Sequence, residues 1–418
     1  MSERLGGSFG KLAARPYTLL PPIYVLIILA ALTYMFGYLL DFSCVVDGWV
    51  DPQRYMHLCY SDIPALYVDR GFAEGIIPYV QAGANGIYLE YPVGTGVFMY
   101  IATLLTGLVS GLYPDGYRAF FDVNVALLFI PFVITVIATA LTKPKDPWRA
   151  AMIVFAPTMI LAATINWDLI PITLVSLAFL AWSKDRATLT GVFFGLAIAS
   201  KFYPAFLLLG FVLLAWRTKT WRPTLSMLIA TVTTFLAVNI PFAIANFEGW
   251  VTFYTFNFGR AIDFGSFWYA ITQIGLPTIP ESLLNVASTA LFALLLIAIA
   301  ILVKKTPTTP SIAQISFLIL AAFVVTNKVY SPQYVLWLVP LAVLARPNWR
   351  DFLIWQFGEV IYFAAIWWFL AGYGITDSKT LTPQWYAAAT FVHIAATIYF
   401  AVMVIRDVRA KSDSNGIS

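Results

Sequence analysis

Apolar runs separated by short polar turns recur along almost the whole chain. The first uninterrupted run covers residues 21–40. A helix needs about 20 apolar residues to cross the hydrocarbon core, so this run predicts a first membrane helix, retained rather than cleaved, behind Arg4, Lys11 and Arg15. Later runs come in pairs around polar apices. Residues 150–165 and 169–182 flank Asn166-Trp167-Asp168, and 187–199 and 205–216 flank the stretch from Ser200 to Pro204. Residues 223–245 and 282–303 enclose a long aromatic loop, 311–326 and 335–345 enclose Asn327 to Tyr334, and a final pair covers 351–372 and 384–405.

The basic residues give these runs a topology. They cluster at 4–15, 143–149, 184–186, 217–222, 304–305, 346–350 and 406–411. Lys and Arg in short loops favour the cytoplasmic side, so each interval between clusters should hold an even number of crossings. About twelve transmembrane helices follow, with both termini inside. The first interval holds three runs, 21–40, 93–112 and 123–141. Parity makes 93–112, which carries Gly94, Gly96, Gly107 and Gly111, a re-entrant or interfacial helix; a full crossing would violate one basic loop. Several runs are too short to span cleanly, which is tolerated where irregular backbone lines a cavity in the protein. The expectation is an all-α polytopic membrane protein with one domain over 1–410, a large first outer loop over 41–122, a recess on the outer face, and a disordered cytoplasmic tail over 411–418.

Composition agrees with a membrane protein: 60% of residues are hydrophobic and 11% charged, against about 25% charged in soluble domains. The net charge of +4 is spread over turns, which argues against a nucleic-acid partner. Residues 41–92 are the exception, with seven carboxylates against two arginines and both cysteines of the chain. In an oxidising compartment Cys44 and Cys59 are expected to pair. Closing a loop of this length contributes ~3 kcal/mol in the chain-entropy account. No metal site is expected, because His57 and His393 are far apart in sequence and Cys44, His57 and Cys59 lack a compact ligand spacing. With this topology Asp62, Asp168, Lys201, Arg260, Asp263, Lys328 and Asp377 share one side. Asp47, Asp51, Asp69 and Asp377 read as solvated turn charges. Lys201 and Lys328 read as functional, being lone cations set between tyrosine and proline on the face where positive loops are disfavoured.

The order of local phrases is informative. Ser61-Asp62-Ile63, Ile77-Pro78-Tyr79 and Glu90-Tyr91-Pro92 are followed by Lys201-Phe202-Tyr203-Pro204, then by Lys328-Val329-Tyr330-Ser331-Pro332-Gln333-Tyr334. This order resembles GT-C membrane glycosyltransferases, closest to the actinobacterial family-87 type of polyprenyl-phosphate-mannose-dependent mannosyltransferases. The resemblance implies a GT-C fold with an aspartate base on the first outer loop. It further implies transfer of mannose from a polyprenyl-phosphate donor to an envelope glycolipid or glycan, on the outer face of the cytoplasmic (inner) membrane, with inversion. Arabinofuranose on the same carrier is the alternative sugar, and a lipid-linked-sugar transporter or flippase is the alternative class.

Asp62 matches the loop aspartate of that family. The long segment 41–60 leaves Asp41, at the end of the first helix, as a rival. Lys201, Lys328 and Arg260 are expected to stabilise the leaving phosphate. Tyr203, Tyr330, Gln333, Tyr334, Trp167 and Asp168 are expected to form the sugar and lipid-phosphate pocket. Tyr79, Glu90 and Tyr91 would order the loop or meet the acceptor, and the aromatic loop 246–267 would cradle the prenyl chain. The expected partners are the lipid-linked donor, the acceptor and the bilayer, with no cofactor and a monomeric protein.

Overall fold

The computed structural model describes residues 20–83, 86–373 and 380–410. The expectations for residues 1–19, Asp377 and the tail 411–418 lie outside them. Among the described residues 76% are helical and none is in a strand. Seven helices are long and apolar enough to cross a membrane: α1 (Leu20–Asp47), α4 (Val93–Val109, extended by a 3-10 turn to Leu112), α5 (Gly116–Thr142), α11 (Trp221–Ala245), α14 (Glu281–Lys305), α17 (Trp349–Leu370) and α18 (Pro383–Ala410). Shorter apolar helices lie between them: α8 (Leu169–Trp182), α9 (Ala187–Ser200), α10 (Pro204–Thr218), α15 (Ile312–Thr326) and α16 (Val335–Ala345). The remaining helices are short or amphipathic: α2 (Gln53–Met56), α3 (Asp62–Asp69), α6 (Ala151–Val154), α7 (Pro157–Ala162), α12 (Phe247–Phe258) and α13 (Phe267–Gln273).

One boundary departs from the hydrophobic pattern. The run 150–165 is not one helix. Ala156 is extended and Pro157 starts a new helix, because proline has no N–H to continue the preceding turn. The run 93–112, expected to be a re-entrant or interfacial helix, keeps its expected bounds as a continuous helical stretch of 20 residues, packed on α5 and α9.

Two of the short helices, α15 and α16, are tolerated because they are interior. Every residue of α16 is buried, and α15 is nearly so. α9 crosses α11 closely at Gly191 and Gly195, where a Cβ would run into Met227 and into Thr231 and Thr234 of α11. This is the small-residue spacing that lets membrane helices approach backbone to backbone. Five helices share a polarity that matters for the site. α8, α9, α10, α16 and α17 each have a basic residue just beyond or within the last turn at one end (Lys184, Arg186, Arg217, Arg346, Arg350). At the opposite end each has a residue discussed below: Asp168, Lys201, Tyr203, Tyr334 or Trp367.

The first loop is packed onto this frame. Cys44, in the last turns of α1, is bonded to Cys59, with Cα atoms 5.9 Å apart. Ser61 caps α3 and donates to the Thr164 carbonyl at 2.7 Å, while the Asp62 N–H donates to the Ile165 carbonyl at 2.8 Å. α3 is thus tied at its first turn to the segment between α7 and α8.

Candidate active site

A cavity of about 470 Å³ opens where the helix apices meet the first loop. Asp62 lines it from the start of α3. Its carboxylate accepts from Tyr60 Oη at 2.8 Å on Oδ1 and from Tyr91 Oη at 3.1 Å on Oδ2. Burial raises the Asp62 carboxyl above the ordinary carboxylate range, the two phenols and Lys201 pull it down, and the net direction is upward.

Two cations line the same cavity. Lys201 Nζ is 2.8 Å from Asp168 Oδ1, whose Oδ2 accepts from Trp337 Nε1 at 2.8 Å. The ammonium also lies 5.1 Å from the Tyr91 ring centroid, inside cation–π range. Burial alone would lower the Lys201 ammonium; Asp168, Tyr334 and Asp62 more than offset this and hold it above its ordinary value. Arg260 Nη2 is 2.6 Å from Asp263 Oδ2. The Asp263 N–H donates to the Lys328 carbonyl at 2.9 Å, which fastens the loop after α12 to the loop after α15.

The predicted residues divide into three groups. Asp62, Lys201, Arg260, Glu90, Tyr91, Gln333 and Tyr334 share the cavity wall. Lys328 and Tyr203 line an adjoining cavity of about 320 Å³, which also touches Lys201 and Tyr334. There Lys328 Nζ donates to the Phe258 carbonyl at 3.0 Å, and burial lowers its ammonium, Glu281 opposing and Arg260 adding to the effect. The others stand behind the walls. Trp167 is buried and donates to Asn124 Oδ1 at 2.7 Å. Asp168 reaches the site only through Lys201. Tyr330 donates to Glu359 at 3.2 Å, in a buried network with His393. Tyr79 donates to the Tyr91 and Pro92 carbonyls at 2.9 and 2.7 Å and so orders the loop. Glu90 is held by Arg70 through two bonds of 2.6 Å.

The rival Asp41 is 7% exposed, accepts from Thr164 Oγ1 at 2.5 Å and does not line the cavity. Among the described residues no group of three or more His, Cys, Asp or Glu is placed to hold a metal ion.

Sequence reasoning missed several wall residues. Trp337 is sandwiched between Tyr203 (centroids 4.4 Å apart) and Tyr334 (3.8 Å). The three-residue spacing of Tyr334 and Trp337 on one helical face was an available signal. Asp69, read as a solvated turn charge, is exposed and also lines the cavity together with Asp62, Ala65 and Leu66. Positions i, i+3, i+4 and i+7 form one face of a helix, so this too was readable once α3 was known to be helical. Trp367 carried no sequence signal.

A helical membrane protein with four carboxylates and two cations around one polar cavity is built for chemistry on a polar substrate at the membrane. The model of glycosyltransferase family 87 matches residues 88–326, more than half of the chain, and the chain belongs to that family: it is a membrane glycosyltransferase. The match begins after Asp62 and ends before Lys328. No curated protein matches the chain.

Proposed function

We propose that the protein transfers mannose from a polyprenyl-phosphate donor to an envelope glycolipid or glycan, with Asp62 as general base. The observation that carries the reading is the shared wall: a carboxylate with a raised pKa and the cations Lys201 and Arg260 face one cavity. The acceptor hydroxyl attacks the anomeric carbon and gives its proton to Asp62. The bond from that carbon to the phosphate oxygen breaks, and the polyprenyl phosphate leaves with the bonding electrons. Its added negative charge is met by Lys201 and Arg260, fixed in advance by Asp168 and Asp263. One displacement inverts the anomeric configuration.

The two phenols occupy two of about four lone-pair sites on the Asp62 carboxylate, leaving room for an acceptor hydroxyl. The adjoining aromatic cavity, with Lys328 at its edge, suits the first isoprene units of the donor. The helix polarity supports an outward-facing site, since the basic ends are the ones that stay cytoplasmic. The sugar and its carrier rest on the resemblance of motifs.

The test is purified protein in nanodiscs with labelled polyprenyl-phosphate mannose, polyprenyl-phosphate arabinofuranose in a parallel reaction, and extracted envelope acceptors. Label from mannose should move to acceptor, and Asp62→Asn should abolish transfer in a protein that stays folded. Undiminished transfer by that variant would overturn the base assignment and turn attention to Asp41→Asn.

A further inference from the structure

Of the four carboxylates on the cavity wall, Asp62, Asp69, Glu90 and Asp263, the mechanism leaves Asp69 and Glu90 unused. Asp69 ends α3, on the same face as Asp62, seven residues on. At 1.5 Å rise per residue the two lie ~10 Å apart along the axis. Between them the face is Ala65 and Leu66, so a small side chain leaves open floor beside the base. Asp69 makes no side-chain hydrogen bond or ion pair among the described residues. Next to it Arg70 grips Glu90, which also lines the cavity. The charges therefore divide the cavity: Lys201 and Arg260 lie near Asp62, whereas the far end of α3 brings Asp69 and the Arg70–Glu90 pair.

A second observation concerns the aromatic wall. Tyr55, Tyr60 and Trp367 line the cavity as near-parallel rings, with centroids 5.6 Å apart for Tyr55–Tyr60 and 4.7 Å for Tyr60–Trp367. The cluster starts one hydrogen bond from the base, because the Tyr60 phenol donates to Asp62. Trp367 is 4% exposed, so its packing holds the ring in place.

We infer that this half of the cavity seats an uncharged oligosaccharide end of the acceptor, at least two sugar rings long; the inference rests on the glycosyltransferase reading above. The reactive ring lies at Asp62 against the aromatic cluster, and the next ring lies along α3 with hydroxyls donating to Asp69. Flat apolar walls with a few placed polar groups are what a sugar ring, apolar on its faces and polar on its rim, requires. An anionic headgroup placed there would face Asp69 and Glu90 and be repelled.

The probes are methyl mannoside, methyl mannobioside and phosphatidylinositol, each offered as acceptor with labelled polyprenyl-phosphate mannose. Binding of the two mannosides is followed separately by saturation-transfer NMR without donor. The mannobioside should have a KM about tenfold or more below the monosaccharide, the worth of one hydrogen bond to a charged group. Asp69→Asn should shrink that ratio towards one, whereas Tyr55→Ala, which opens the aromatic cluster under the ring common to both probes, should raise both KM values and leave the ratio in place. Equal use of the two mannosides, preference for phosphatidylinositol, an unaltered ratio in Asp69→Asn, or unaltered KM values in Tyr55→Ala overturns the seat alone. Mannobioside binding that is lost in Asp69→Asn while no donor is ever turned over supports the seat and overturns the transferase reading. Neither binding nor turnover overturns both.

Discussion

Replacing Lys201 with methionine removes the ammonium 2.8 Å from Asp168 and keeps most of the side-chain volume. Asp168 is 2% exposed and is left with the Trp337 N–H as its one strong donor. Breaking one side of a buried ion pair costs about 3–5 kcal/mol, because the surviving charge stays buried and uncompensated. At roughly 2–4 °C per kcal/mol for a chain of a few hundred residues, Lys201→Met should melt roughly 6–20 °C below the parent. Asp168→Asn should fall similarly, since it leaves the ammonium without its carboxylate. The double variant removes both charges and should recover most of the loss, because well-packed neutral replacements of a buried pair are often close to neutral. The coupling term of the cycle isolates the pair. Function should follow a different pattern. If Lys201 stabilises the leaving phosphate, the double variant regains stability but keeps a kcat loss of about 10²–10³, the size seen when one preorganised charge donor is removed. The assay is thermal unfolding of the four proteins in one detergent at one scan rate, with sugar transfer measured on the same samples. Parental transfer by the stable double variant would refute the phosphate role and leave the pair purely structural. A Lys201→Met protein as stable as the parent would refute the energetic reasoning.

Asp62 should set both the acid limb of activity and a pH dependence of stability. Its folded pKa is raised, so the folded state binds the extra proton between the ordinary and the raised value, and stability falls as pH rises through that window. Asp62→Asn should therefore unfold at a higher temperature than the parent at neutral pH, with the difference vanishing at acid pH; an unchanged gap across that range would contradict the burial argument. Tyr91→Phe removes a phenol that lowers the Asp62 pKa, and the acid limb of kcat/KM should move to higher pH; an unmoved limb would contradict the role of that hydrogen bond. Changing Cys44 and Cys59 together to serine opens the loop that presents Tyr55 and Tyr60, at a cost of ~3 kcal/mol in the chain-entropy account. Thermal unfolding should show the loss, and reducing agent should reproduce it in the parent alone.

The fold class was legible because membrane helices report themselves locally: a long apolar run has few structures open to it once water is excluded. Helix ends were less legible. Pro157 divides one apolar run, and at 93–112 parity and length point to different dispositions. Within the site, Asp62, Lys201 and Arg260 were found because charges at membrane apices are costly and rarely idle. Tyr330 and Trp167 were misplaced for a related reason. An aromatic residue near an apex is equally at home lining a cavity or filling the core behind it, and only packing separates the two.

The sequence by itself determined that this chain lies in a membrane as a helical bundle, that its unusual carboxylates gather in the first loop, and which apical cations deserved notice. Those properties depend on composition and on neighbours a few residues away. The tertiary structure decided the rest. It put Asp62 on the cavity wall and tied Asp41 to Thr164 away from it. It put Lys201 on the walls of both cavities and Lys328 on the adjoining one alone. It placed the exposed Asp69 on the cavity wall as well and brought Trp367 against Tyr60 from the other end of the chain. Each of those outcomes depends on distances between segments tens to hundreds of residues apart, which only the packing of the helices determines.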